Sequence, residues 1–103
     1  MGTMPKKDIR QLESKIQRQI LDYLDTVPCL YVIKIITAST RGVPDLIICY
    51  RGRFIGMEVK STLNKATQIQ MWNLYAITTA GGVGAVVRNI DDVKLILDKV
   101  GHD

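Results

Sequence analysis

Acidic residues are almost missing from the middle of this chain. Between Thr26 and Ile90 only Asp45 and Glu58 are negative, against seven basic residues: Lys34, Arg41, Arg51, Arg53, Lys60, Lys65 and Arg88. Histidine and cysteine are equally scarce, with one and two residues in 103. Cys29 and Cys49 form neither a CxxC nor a zinc-ligand spacing, which argues against a thiolate metal centre; reduced thiols buried in core strands of a cytoplasmic protein are the expectation. His102 stands second from the end, where chains fray, and is assigned no chemistry. No apolar run approaches the roughly 20 residues that a membrane span needs. Lys6, Lys7, Asp8 and Arg10 follow the start without an apolar stretch, so no signal peptide is expected. Repeats, linkers and low-complexity segments are also missing.

What is present fits one globular domain over 1–103, with residues 1–6 flexible. Met1-Gly2-Thr3 is read as a cloning remnant and Met4 as the natural start. The composition is ordinary, 47% hydrophobic and 23% charged, with a net charge of +4. That total is a weak argument for a polyanionic partner. The distribution is a stronger one, because outside the middle segment seven basic residues face eight acidic ones.

Ile9, Leu12, Ile16, Ile20, Tyr23 and Val27 recur at helical spacing, which predicts an amphipathic helix from about Lys7 to Thr26, closed by Pro28. Strands are expected at Leu30–Ile36, Leu46–Tyr50 and Phe54–Val59, the last two joined at Arg51-Gly52. After a loop at Ser61–Lys65, a second helix runs from Ala66 or Thr67 to Ala80 and stops at Gly81-Gly82. Val83–Val87 is a fourth strand and Asp91–Val100 a closing helix, with acids in its first turn. The order helix, three strands, helix, strand, helix implies an α/β fold. Its four-stranded mixed sheet has an antiparallel meander and a fourth strand added in parallel by a crossover.

If Arg51 and Gly52 are the two central turn residues, Tyr50 faces Arg53 and Asp45 lies opposite Glu58; a three-residue turn would shift this register by one. Opposed carboxylates about 5 Å apart repel. A divalent cation held by hard oxygens, magnesium or manganese, relieves that repulsion. Lys60 emerges on the same face as Glu58. The plainer reading makes these solvated strand residues. It is disfavoured because Leu46, Ile48, Met57 and Val59 on one face, and Ile47, Cys49 and Phe54 on the other, imply a sheet covered on both sides. Glu13 falls inside the apolar arc of the first helix, and should be exposed at its edge or find a partner, the metal included. Trp72 and Tyr75 are expected in the core. Gly42 serves the turn that delivers Asp45. Arg41, Arg51, Arg53 and Lys65 are candidate phosphate contacts, Arg41 foremost.

Gly42-Val43-Pro44-Asp45, the following apolar strand, Glu58-Val59-Lys60 and Gln68 before a helix resemble the PD-(D/E)XK nuclease superfamily. With Glu13 in the early helix and the compact size, the chain is most similar to the virus-type replication-repair nuclease domain, VRR-NUC, in its stand-alone phage-type form. The resemblance implies a restriction-endonuclease-like core. It implies that Asp45, Glu58 and the Val59 carbonyl bind catalytic Mg2+ or Mn2+, with Glu13 helping directly or through water. Lys60 would orient or activate the attacking water, and Gln68 would support the water or the DNA. The implied protein is a metal-dependent, structure-selective endodeoxyribonuclease, a homodimer resolving Holliday junctions in the (host) cytoplasm. The alternatives are a nicking, flap or restriction-like nuclease, or an inactive DNA-binding module.

Overall fold

A computed structural model describes residues 4–101; the expectations for Met1-Gly2-Thr3 and for His102 lie outside the described residues. The elements follow the expected order: α1 (Lys6–Leu24), β1 (Leu30–Lys34), β2 (Leu46–Tyr50), β3 (Arg53–Val59), α2 (Gln68–Thr79), β4 (Val83–Val87) and α3 (Ile90–Gly101). The sheet order is β1-β2-β3-β4, with β1 to β3 antiparallel and β4 parallel to β3. The fold is α/β, a four-stranded mixed sheet flanked by helices.

α1 ends two residues before the expected Thr26. The Thr26 hydroxyl donates to the Tyr23 carbonyl at 2.6 Å, and Pro28 disfavours helical angles at Val27. The β2–β3 hairpin turns on Arg51 and Gly52, at φ 52° and 81°. Two successive left-handed residues are the signature of a two-residue turn whose twist matches the strands. The register follows from it: Tyr50 pairs with Arg53 and Leu46 with Met57.

One face of the sheet carries the core. Leu46, Ile48, Ile55, Met57, Val59 and Val87 pack beneath Ile20 and Leu24 of α1 and Val93, Leu97 and Val100 of α3. α2 covers the opposite face over β3 and β4, where glycines let it approach closely. A Cβ on Gly56 would stand 2.6 Å from Ile77 Cδ1, and one on Gly84 would collide with the Leu74 carbonyl.

Over β1 and β2 that second face is open, which corrects three expectations. Phe54 is exposed and Ile47 only half-buried, so the sheet is not covered on both sides. Both cysteines are exposed rather than buried: Cys49 points from β2 onto the open half, and Cys29 precedes β1 at φ 60°. Trp72 and Tyr75 are 64% and 60% exposed. The helix turns Leu74 and Ile77 inward instead, which lie on the other side of its circumference.

Candidate active site

The carboxylates sit where the hairpin comes apart. Regular pairing of β2 with β3 stops at Leu46 and Met57, while β3 continues beside β4 to the pair Val59–Val87. Asp45 spans the resulting gap: its Oδ2 accepts from the Val59 amide at 2.8 Å, and its carbonyl accepts from the Ile35 amide at 2.8 Å. Pro44 before it is buried, and Gly42, at φ 77°, turns the chain under α2. A side chain on Gly42 would collide with Ile69.

Glu58 is 1% exposed. Its Oε2 has no hydrogen-bond partner, alone among buried side-chain oxygens and nitrogens of the described residues. Burial, then the charge of Asp45 and a hydrogen bond with it, push the Glu58 carboxyl up to about 8 from a usual 4.5; the nearby Lys60 ammonium works in the opposite direction. An unpartnered buried carboxylate oxygen beside a second carboxylate is a donor set that suits a cation. The donors are all hard oxygens, so the residues fit Mg2+ or Mn2+.

A cleft of about 240 Å³ opens over this point, lined by Asp45, Val59, Lys60 and α1 residues Arg10, Glu13, Ser14 and Gln17. Glu13 is here, yet its Oε2 is engaged by the Ser61 amide at 2.9 Å and the Asn64 side-chain amide at 3.2 Å. Among the described residues no group of three or more His, Cys, Asp or Glu side chains is arranged to hold a metal. Glu13 thus clamps the Ser61–Asn64 loop from within the cleft that Asp45 also lines.

Other expected residues lie apart. Gln68 is exposed at the first position of α2 and does not line the cleft. Thr67 caps this helix, with Gln70 closing a reciprocal capping box at 2.9 and 3.2 Å, which leaves Gln68 on the outer stripe with Trp72. Arg51 in the hairpin turn and Arg53 beside it lie five or six residues, or roughly 20 Å, along the strands from the carboxylates. The Arg51 guanidinium lies over the Tyr50 ring, 5.4 Å from its centroid, and Arg53 Nε donates to the Gly81 carbonyl at 3.3 Å. Arg41 and Lys65 are exposed in the loops before Asp45 and after Lys60.

Sequence reasoning missed the brace behind Lys60. Arg88 Nη1 donates to the Ser61 carbonyl and, at 2.8 Å, to the Asn64 carbonyl. Ser61 is buried. The loop is thus held by Glu13 on one side and Arg88 on the other. The signal was available in two places. The parallel register sets Arg88 beside Lys60, and Arg10, Glu13, Ser14 and Gln17 form a polar stripe at helical spacing.

No protein-family model and no curated protein matches the sequence. Solved structures do. A chain described as a VRR_NUC domain superimposes with a TM-score of 0.71 at 21% identity, over 84% of this chain and 95% of that one. A second, a VRR_NUC domain protein, gives 0.55 at 18% identity over 94% and 88%. The chain has the fold of the VRR-NUC domain.

Proposed function

We propose that this chain is a divalent-metal-dependent endodeoxyribonuclease selective for branched DNA, a homodimer acting on Holliday junctions. The observation that carries the reading is the partnerless buried oxygen of Glu58 beside Asp45, next to Lys60, under an open cleft. Two solved structures of the same fold are described as VRR_NUC domains, which supports a nuclease.

Asp45, Glu58 and the Val59 carbonyl would hold Mg2+ or Mn2+, with Glu13 in contact through water. When bound, the ion supplies a water of lowered pKa and positive charge for the phosphoryl oxygens. Lys60 orients that water and stabilises the negative charge that grows on the non-bridging oxygens. Attack by water forms a new P–O bond and breaks the bond to the 3′ oxygen; the water gives up a proton to solvent and the 3′ oxygen takes one, so the products are a 3′-hydroxyl and a 5′-phosphate. Asp45 holds the Val59 amide, and Glu13 with Arg88 fixes the loop after Lys60, so the ammonium is presented from a braced segment. Arg41 and Lys65 contact the phosphates nearest the cleft. Arg51 and Arg53 contact DNA only if it follows the sheet to its far end. Gln68 supports DNA rather than the attacking water, since it does not line the cleft.

The test is cleavage of labelled four-way junction, flap, single-stranded and linear duplex DNA with magnesium or manganese, beside Lys60→Ala. The expected outcome is metal-dependent cutting of the junction above all others, reduced at least about 100-fold in the variant, as for loss of one preorganised charge. Salt-sensitive binding without cutting of any substrate would instead identify an inactive binding module.

A further inference from the structure

We infer that the outer face of α2, together with the open half of the sheet beside it, is the contact surface between two copies of this chain. The inference names the surface for the homodimer in the reading above and does not depend on the cleavage chemistry.

α1 and α3 are amphipathic, with buried stripes toward the sheet and charges outside. α2 is different. From Ala66 to Val87 the sequence holds no charged residue, although 23% of the chain is charged. Its inner stripe meets the sheet through Leu74 and Ile77, yet Ile69, Trp72 and Tyr75 face outward and are at least 48% exposed. The Trp72 and Tyr75 rings lie 5.8 Å apart. An uncharged helix with large apolar side chains on its outer as well as its inner side expects cover on both.

Beside this ridge lies a floor. The side of the sheet that α2 covers over β3 and β4 continues, uncovered, across β1 and β2. On this floor Tyr31 and Ile33 of β1 are 66% and 44% exposed, and Phe54, at the start of β3 opposite Cys49, is 46% exposed. Ile69 meets the Gly42 turn, so the Ile69 flank of α2 forms the wall above that floor. Ridge and floor together are self-complementary. A two-fold axis can lay each copy's α2 on the other's open half-sheet, the isologous contact that closes at two.

Two further arguments select a second copy as the occupant. At about 200 Å² per large side chain, the six residues named expose roughly 650 Å² per subunit, close to the ~800 Å² a stable interface buries on each side. Charge also agrees. A chain with net charge +4 meets its like best through its uncharged surface, and aromatic, charge-depleted patches are what interface cores consist of. Stacking of bases on Trp72 would need cations along the strand's path. The cations nearest α2 stand only at its ends, Arg41 and Lys65 before it and Arg53, which donates to the Gly81 carbonyl, after it.

Trp72 is the single tryptophan, so its emission reports directly on this face. Sedimentation equilibrium and intrinsic fluorescence would be recorded together on the full chain from about 1 to about 100 µM, the range in which an interface of this size associates. The expected result is a twofold rise in mass with a blue shift of the emission. Both should be lost in Tyr75→Lys (ridge) and in Ile33→Lys (floor), with circular dichroism unchanged, since both side chains are exposed. Three results would overturn the inference: a monomer with solvent-like emission throughout; a dimer that both variants leave intact; or Trp72 quenching by single-stranded DNA while the protein stays monomeric. A monomer that still cuts DNA with magnesium overturns this surface and leaves the nuclease standing. A dimer that cuts nothing does the reverse.

Discussion

Replacing Glu58 with glutamine isolates the charge that the fold has to carry at its site. In the folded chain the Glu58 carboxyl titrates at about 8, against 4.5 when unfolded. Between these values the folded state holds a proton that the unfolded state has released. Stability therefore falls as pH rises through the window, being fully present below about 4.5 and lost above about 8. At 1.36 kcal/mol per pH unit, the cost of this one group is about 1 kcal/mol at pH 5 and about 3 kcal/mol at pH 7, an upper bound because water and relaxation soften buried electrostatics. Glutamine keeps the shape and a donor toward Asp45 but has no charge to bury. Urea denaturation with a chelator present, at steps from about pH 5 to about pH 8, should show wild type losing stability relative to Glu58→Gln by ~2 kcal/mol or more. Groups that titrate in both proteins cancel in the difference. Magnesium should restore wild type at the alkaline end by binding the folded state, and should leave the variant unmoved. Parallel stability profiles for the two proteins would refute the buried, proton-holding Glu58, and with it the main physical argument for a cation site.

Other expectations test the frame around the site. Glu13→Gln keeps an acceptor for the Ser61 amide and should retain magnesium affinity within a few-fold, whereas Glu13→Ala should lose about 1.5–3 kcal/mol of stability; equal loss of magnesium affinity in calorimetric titrations of both would make Glu13 a ligand rather than a clamp. Gly84→Ala drives a methyl group into the Leu74 carbonyl and should cost at least about 2 kcal/mol in urea denaturation. A neutral effect would mean that α2 does not sit on β4 as closely as the structure has it. Thr67→Ala removes the α2 capping box and should cost about 1 kcal/mol by the same measurement, while Thr67→Ser should cost almost nothing.

Much of the fold was legible because its signals are local. The apolar runs at Leu46–Tyr50 and Val83–Val87 state their own boundaries, and Arg51-Gly52 sets the hairpin register down to Leu46 and Met57, beyond which Asp45 and Glu58 meet at the opened end. What failed needed knowledge of a third element. A helix with apolar residues on several sides does not say which stripe faces in, so the sequence points Trp72 and Tyr75 to positions that Leu74 and Ile77 occupy. Cys49 and Phe54 alternate correctly along their strands, but whether a helix reaches over them depends on where α2 lies. The Glu13 anomaly was visible as a carboxylate in an apolar arc. Its partners were not, because Ser61 and Asn64 lie about 50 positions away and present a backbone amide and a side-chain amide, neither of which leaves a charge pattern.

The same limitation explains why the brace escaped notice while the carboxylates did not. Asp45 and Glu58 announce themselves as lone negative charges in a basic segment, whereas Arg88 is one cation among seven. Its role comes from position. Parallel pairing of β4 with β3 carries Arg88 to the level of Lys60, just where β3 loses its partner on the β2 side. An unpaired strand end would leave Lys60 and the following loop free to move. Arg88 and Glu13 instead take up the loop's carbonyls and its Ser61 amide, and Asp45 takes the Val59 amide. The gap that admits a cation between the strands is thus the same gap that requires bracing. A fold that opens its hairpin to make a site has to hold the opened strand with side chains from elsewhere.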